Sequence, residues 1–131
     1  MHILLAEDNR ADVFLVEEGL KLHGVAATLQ VVSDGDAAID YLSRVEAGEV
    51  SPVPHLIVLD LNLPRKSGHD VLAHIRKSPK LGGIPVLIAT SSNAHTDRLQ
   101  AEQLRANAFF SKPSSYEGFL NIGLVIKSLL A

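Results

Sequence analysis

Short apolar runs alternate with longer amphipathic segments five times along this chain. Two of the runs, Ile57–Leu59 and Val86–Ile88, are apolar throughout, which is typical of strands buried on both faces of a parallel sheet. The predicted strands span 2–6, 27–32, 55–60, 84–90 and 107–111, and the predicted helices span 10–23, 36–47, 67–77, 94–105 and 115–130. Because alternating β and α units need right-handed crossovers, we predict an α/β fold, a doubly wound five-stranded parallel sheet with helices on both faces.

Polar residues next to the apolar segments indicate where three helices begin. Asn9 is well placed as the N-cap of the first helix, and Ser67 as that of the third, with an acid in its first turn. The last helix is preceded by Ser114-x-x-Glu117, a capping-box pattern. We therefore predict that these residues set the starts of the first, third and last helices.

Composition narrows the class of protein. A length of 131 residues suits one domain, which we predict to span residues 1–131. Within this domain, Arg44–Pro54 is predicted to be a long loop. The net charge is −3 and no basic run occurs, so we expect no nucleic-acid partner. The absence of cysteine excludes disulfides and thiolate zinc sites, and it fits a cytoplasmic protein. No apolar stretch approaches about 18 residues, so we expect no membrane span.

Five polar residues follow predicted strands. Glu7 and Asp8 end the first strand, Asp60 ends the third, Thr90 ends the fourth and Lys112 follows the fifth. The carboxyl ends of parallel strands share one edge of a sheet, where ligands of such folds bind. Three acids gathered there repel one another, which favours a hard cation such as Mg²⁺. Acids, a hydroxyl and an ammonium together predict a phosphoryl site, although Glu7-Asp8 could instead merely cap the first helix.

Taken in order, the motifs resemble those of a known family. They are Ile3-Leu4-Leu5-Ala6-Glu7-Asp8-Asn9, Asp34-Gly35, Leu59-Asp60-Leu61-Asn62-Leu63-Pro64, Ser67-Gly68, Ile84-Pro85-Val86, Ala89-Thr90-Ser91 and Ser111-Lys112-Pro113. This set resembles the receiver domain of two-component response regulators. The long loop, Ala11-Asp12 and Asp40-Tyr41-Leu42 resemble single-domain regulators of phytochrome-type histidine kinases. The resemblance implies the flavodoxin-like strand order 2-1-3-4-5.

The resemblance also implies roles for individual acids. Asp60 would be the phosphoacceptor, taking a phosphoryl group from a histidine kinase. Asp8 and Asp60 would bind Mg²⁺ through their side chains, Glu7 through water, and Asn62 through its backbone carbonyl. We expect no catalytic turnover beyond self-phosphotransfer and autodephosphorylation.

Four further residues gain roles in the same way. Lys112 would contact a phosphoryl oxygen, and the Lys112–Pro113 peptide bond is a candidate for the cis form, which is common at this position in the family. Thr90 would hydrogen-bond the phosphoryl group and shift toward it, and Phe109 would turn inward in response. Ordinary alternatives are a strand-end Thr and a core Phe.

Two rival functions remain open at this stage. A divergent receiver could serve only as a phosphorylation-independent docking module, or a small phosphatase-like enzyme could use Asp60 as a turnover nucleophile. The chain ends with the last predicted helix, so we expect no output domain, and output through protein contact or phosphorelay. Subfamily resemblance and the apolar last helix suggest a homodimer through the fourth and fifth helices.

Overall fold

A computed structural model describes residues 1–131 and contains one five-stranded sheet. The strands are β1 His2–Ala6, β2 Thr28–Val32, β3 Leu56–Leu59, β4 Val86–Thr90 and β5 Ala108–Ser111; the helices are α1 Arg10–Leu22, α2 Gly35–Glu46, α3 Gly68–Lys77, α4 His95–Gln103, α5 Tyr116–Phe119 and α6 Ile122–Leu130. All pairings are parallel and the order is β2-β1-β3-β4-β5. The predicted fold and strand order are confirmed, and none of the helices combines the length and apolarity needed to cross a membrane.

Alternation along the buried strands divides the core into two layers. On β3, Ile57 and Leu59 face a cluster of 17 buried residues on the side of α2 and α3. Leu56 and Val58 face a second cluster of 11 on the side of α1 and α6. Successive strand residues point to opposite faces, so a fully apolar strand is what a sheet covered on both sides requires.

The predicted starts of α1 and α3 are confirmed by their capping bonds. The side-chain oxygen of Asn9 accepts from the N–H groups of Ala11 and Asp12. Ser67 and Asp70 form a reciprocal capping box at the start of α3. Both caps satisfy N–H groups that the first helical turn leaves without partners.

The predicted cap of the last helix is wrong by one residue. The N-cap is Ser115, whose hydroxyl accepts from the N–H of Gly118, whereas Ser114 makes no capping bond. The Ser-x-x-Glu pattern points to Ser114, but two adjacent serines offer two registers, and α5 starts after the second one.

The continuous helix predicted over 115–130 is also wrong, because it is divided into α5 and α6. Around the break, Asn121 N–H donates to Gly118 O (3.2 Å) and Leu124 N–H donates to Asn121 O (3.0 Å), which are the tighter bonds of a 3₁₀ turn. Immediately afterwards α6 lies against α1, so closely that a Cβ on Gly123 would sit 2.2 Å from the carbonyl oxygen of Gly19. The tightened turn accompanies this backbone contact between the two helices.

Candidate functional site

The three predicted acids meet at the carboxyl edge of the sheet. β1 and β3 are neighbours with Ala6 opposite Leu59, which brings the residues that follow them side by side. Glu7, Asp8 and Asp60 each offer a carboxylate oxygen within 4.8 Å of the others. Glu7 and Asp60 are buried, whereas Asp8 is exposed. Three hard oxygen donors at this spacing fit a divalent cation with one side open to water.

Lys112 lies at the centre of the acidic cluster. Its Nζ donates to Glu7 Oε2 at 2.5 Å, to Asp12 Oδ2 at 2.8 Å and to Asp60 Oδ2 at 2.9 Å. The lysine side chain is only 7% exposed. An ammonium has three N–H donors, so the three carboxylates occupy all of them.

Backbone groups hold the remaining oxygens of the two buried acids. Asn9 N–H donates to Glu7 Oε1 at 3.0 Å, and Asn62 N–H donates to Asp60 Oδ1 at 3.1 Å. Gly68 packs against the same loop, since a Cβ there would lie 2.3 Å from the carbonyl oxygen of Asp60. The orientation of the Asp60 carboxylate is therefore fixed by backbone as well as by Lys112.

The charges of the cluster respond to burial and to pairing. Burial raises the pKa of Glu7 to about 7, outweighing its hydrogen bonds from Lys112 and Asn9. Burial also pushes the pKa of Asp60 upward, but the hydrogen bonds from Lys112 and Asn62 together hold it below its ordinary value. For Lys112, burial lowers the pKa, yet the bonds to its three acids hold it above the usual range. The cluster thus presents an ionised Asp60 beside a permanently charged ammonium.

Thr90 and Phe109 lie at the end of β4 and on β5. Thr90 is fully buried, and its hydroxyl accepts from the N–H of Ser92 at 3.2 Å. Phe109 is half-buried and stands apart from the acids, in a cavity of about 180 Å³ beside α4. The guanidinium carbon of Arg98 lies 5.0 Å from the centre of the Phe109 ring, within the range of a cation–π contact.

The peptide bond before Pro113, a candidate for the cis form, is trans. The only cis bond precedes Pro52, and Lys112–Pro113 is trans. Trans is the favoured isomer of X–Pro bonds by about 0.5–1 kcal/mol. Lys112 N–H donates to Thr90 O at 2.9 Å, and from this position the side chain already reaches its acids. The reach of the ammonium therefore does not need the cis form.

Asp12 joins the site although sequence reasoning gave it no role there. Strand ends were the guide to the site, and Asp12 lies inside α1, in its first turn. The signal that was available is its place in the chain, because α1 starts at Arg10, directly after Glu7 and Asp8, so an acid in its first turn lies close to the edge where those two acids emerge.

Comparisons with known proteins agree with this geometry. The sequence model of the response regulator receiver domain matches residues 3–122. Response regulator Rcp1 of Synechocystis sp. is 43% identical over 110 residues, covering 84% of this chain and 75% of that protein. The crystal structure of Mn²⁺-bound Rcp1 covers 97% of this chain and 91% of its own, at 38% identity and a TM-score of 0.87. The crystal structure of the phosphorylated cyanobacterial phytochrome response regulator RcpA covers 98% of this chain and 92% of its own, at 34% identity and a TM-score of 0.89.

Proposed function

This chain belongs to the response regulator receiver domain family of two-component signalling, and from that membership we propose that it is a phosphoacceptor switch. Asp60 takes a phosphoryl group from the phosphohistidine of a kinase. Residues 1–131 act together as one receiver domain. The observation that carries the proposal is the contact of Lys112 Nζ with Asp60 Oδ2 at 2.9 Å, between residues 52 positions apart.

The acids fit Mg²⁺ as the cation of the site. Asp8 and Asp60 would hold it through carboxylates, Glu7 through water and Asn62 through its backbone carbonyl. Mg²⁺ prefers oxygen ligands and retains several waters, which suits one exposed and two buried acids. When bound, it supplies positive charge that neutralises the transferring phosphoryl oxygens. The Mn²⁺-bound form of the relative Rcp1 supports a divalent cation here.

Asp60 is proposed as the nucleophile. One carboxylate oxygen forms a bond to phosphorus while the bond from phosphorus to the imidazole nitrogen of the donor breaks, and the imidazole leaves with the electron pair. The pKa of Asp60, held below its ordinary value chiefly by Lys112 against the effect of burial, keeps the carboxylate ionised at neutral pH. The bond from Asn62 N–H orients it for attack.

Lys112 and Thr90 are proposed to receive the phosphoryl oxygens. The ammonium is held beside Asp60, and its bonds to the three acids raise its pKa against the effect of burial, so it is charged at neutral pH. The Thr90 hydroxyl oxygen accepts from Ser92 N–H, so its own O–H can donate to a phosphoryl oxygen as Thr90 shifts toward it. That shift would open space into which Phe109 can turn, away from its contact with Arg98.

The proposed partners follow from relatives and from exposed apolar groups. A histidine kinase is the donor, and the phytochrome link of RcpA makes a phytochrome-type kinase our first candidate. A homodimer through α4 and the α5–α6 region would cover Leu99 and Leu124, which are 41% and 51% exposed. Sedimentation that finds only monomer at high concentration would argue against the dimer.

The direct test is labelling with acetyl phosphate in the presence and absence of Mg²⁺. We expect Mg²⁺-dependent incorporation in the wild type, none in Asp60→Asn, and full incorporation in Asp36→Asn, which alters an exposed acid of α2. Equal labelling of Asp60→Asn would refute the assignment. A wild type that never accepts phosphate would instead favour the docking module, which the complete set of Glu7, Asp8, Asp60, Thr90 and Lys112 argues against.

A further inference from the structure

Asp12 is the most accessible partner of the central lysine. Its carboxylate is 22% exposed, compared with 4% for Glu7 and 8% for Asp60. It lines an open cleft of about 550 Å³ between α1 and the segment that follows β5, together with Ser91 and Pro113. The Asn9 cap bonds Asp12 N–H at 3.2 Å and so fixes where its carboxylate projects.

Every donor of the Lys112 ammonium is already used. Its three hydrogen bonds go to Glu7, Asp12 and Asp60. A phosphoryl oxygen on Asp60 can replace the bond that Lys112 now makes to Asp60, whereas a bond to a second phosphoryl oxygen requires the bond to Glu7 or Asp12 to be given up. A buried carboxylate that loses its donor stays desolvated, whereas one at the wall of a cleft is rehydrated. Asp12 is thus the partner that can be released with the smallest penalty.

We propose that Asp12 is a positioning residue that competes with the phosphoryl group for the ammonium of Lys112. The inference rests on the proposed function of Asp60 as phosphoacceptor. In the unphosphorylated state Asp12 holds Lys112 toward α1 and adds a fourth negative charge beside Glu7, Asp8 and Asp60. That charge attracts a cation and repels an incoming phosphoryl group.

This competition gives a signature that a structural role does not. Removing the Asp12 charge should weaken binding of the divalent cation, because one attractive charge is lost. It should tighten binding of a phosphoryl mimic once the cation is saturating, because a neutral acceptor at position 12 holds the Lys112 ammonium more weakly than a carboxylate does. A variant that only loosened the site would bind both ligands more weakly.

The experiment compares the wild type with Asp12→Asn, Asp12→Glu and the control Asp36→Asn. Mg²⁺ is titrated alone, and beryllofluoride is titrated at saturating Mg²⁺, both followed by calorimetry. For Asp12→Asn we expect Mg²⁺ affinity to fall about threefold and beryllofluoride affinity to rise about tenfold, the scale of one charge-assisted hydrogen bond. Asp12→Glu, which keeps the charge, should lie close to the wild type, and Asp36→Asn should match it.

The outcomes separate this inference from the function on which it rests. If wild type is labelled by acetyl phosphate and Asp60→Asn is not, the proposed function stands. Under those conditions, unchanged affinities in Asp12→Asn, or losses for both ligands, overturn the role of Asp12 alone. A wild type that accepts no phosphoryl group overturns both.

Discussion

Replacing Lys112 with methionine should expose how far the acidic cluster depends on a single ammonium. The lysine is 7% exposed and contacts Glu7, which is 4% exposed, and Asp60, which is 8% exposed. Removing one partner of a buried ion pair destabilises by about 3–5 kcal/mol. Glu7 can take up a proton near neutral pH, since burial raises its pKa to about 7, so we expect the lower end, about 3 kcal/mol.

Urea unfolding at pH 8 without divalent cations measures this loss. With a slope of about 2 kcal/mol per molar, the midpoint of Lys112→Met should fall by about 1.5 M. Lys127→Met, which alters an exposed lysine on α6, should change the free energy of unfolding by less than about 0.5 kcal/mol. The Lys112→Met deficit should shrink when Mg²⁺ is added, because the bound cation replaces the missing positive charge and so stabilises the variant more than the wild type.

The pH dependence of the same variant has a definite sign. An acid whose pKa is raised by folding holds its proton better in the folded state, so stability falls as pH rises from about 4.5 through about 7. Without Lys112 the acids lose their counter-ion and their pKa values rise further. The variant should therefore recover more stability than the wild type between pH 8 and pH 5.5. Equal unfolding midpoints for the two proteins at pH 8 would refute this reasoning.

Two further predictions concern packing beside Asp60 and a hydrogen bond far from the site. Gly68→Ala places a methyl group 2.3 Å from the carbonyl oxygen of Asp60, so it should destabilise the protein by about 1–3 kcal/mol and slow the labelling of Asp60. The control Gly83→Ala, whose methyl group would meet nothing within 4 Å, should have neither effect. Equal labelling rates for the two variants would contradict this prediction. Ser78→Ala removes the 2.7 Å bond that chiefly lowers the pKa of Glu46 and leaves Leu81 N–H unpaired, a loss of about 1–3 kcal/mol by urea unfolding. Because a lowered acid pKa contributes its full stability above the unfolded value of 4.5 and loses it as pH falls through the lower folded value, the Glu46 part of this deficit should shrink as pH falls below about 4.5, and a pH-independent deficit would count against it.

Sequence reasoning located the strands well because their apolar runs have a single physical explanation. A run such as Val86–Ile88, buried on both faces, fits only the middle of a covered sheet. The site followed from the same argument, since the carboxyl ends of parallel strands must share an edge. Glu7, Asp60 and Lys112 could therefore be grouped before any distance was known.

The features that were missed depend on contacts between elements rather than on local pattern. The break between α5 and α6 accompanies the close approach of Gly123 to Gly19, a long-range contact that periodicity along one helix does not encode. Asp12 was overlooked because it lies within a helix, where an acid is usually solvated.

Mapping the phosphorylated residue tests the central claim most directly. After reaction with acetyl phosphate and Mg²⁺, borohydride reduces an aspartyl phosphate to homoserine, and peptide mass spectrometry locates the converted position. Our account predicts conversion at Asp60 and at no other acid of the cluster. Conversion at Asp8 or Asp12, or acid-stable phosphate on a hydroxyl such as that of Thr90, would contradict it.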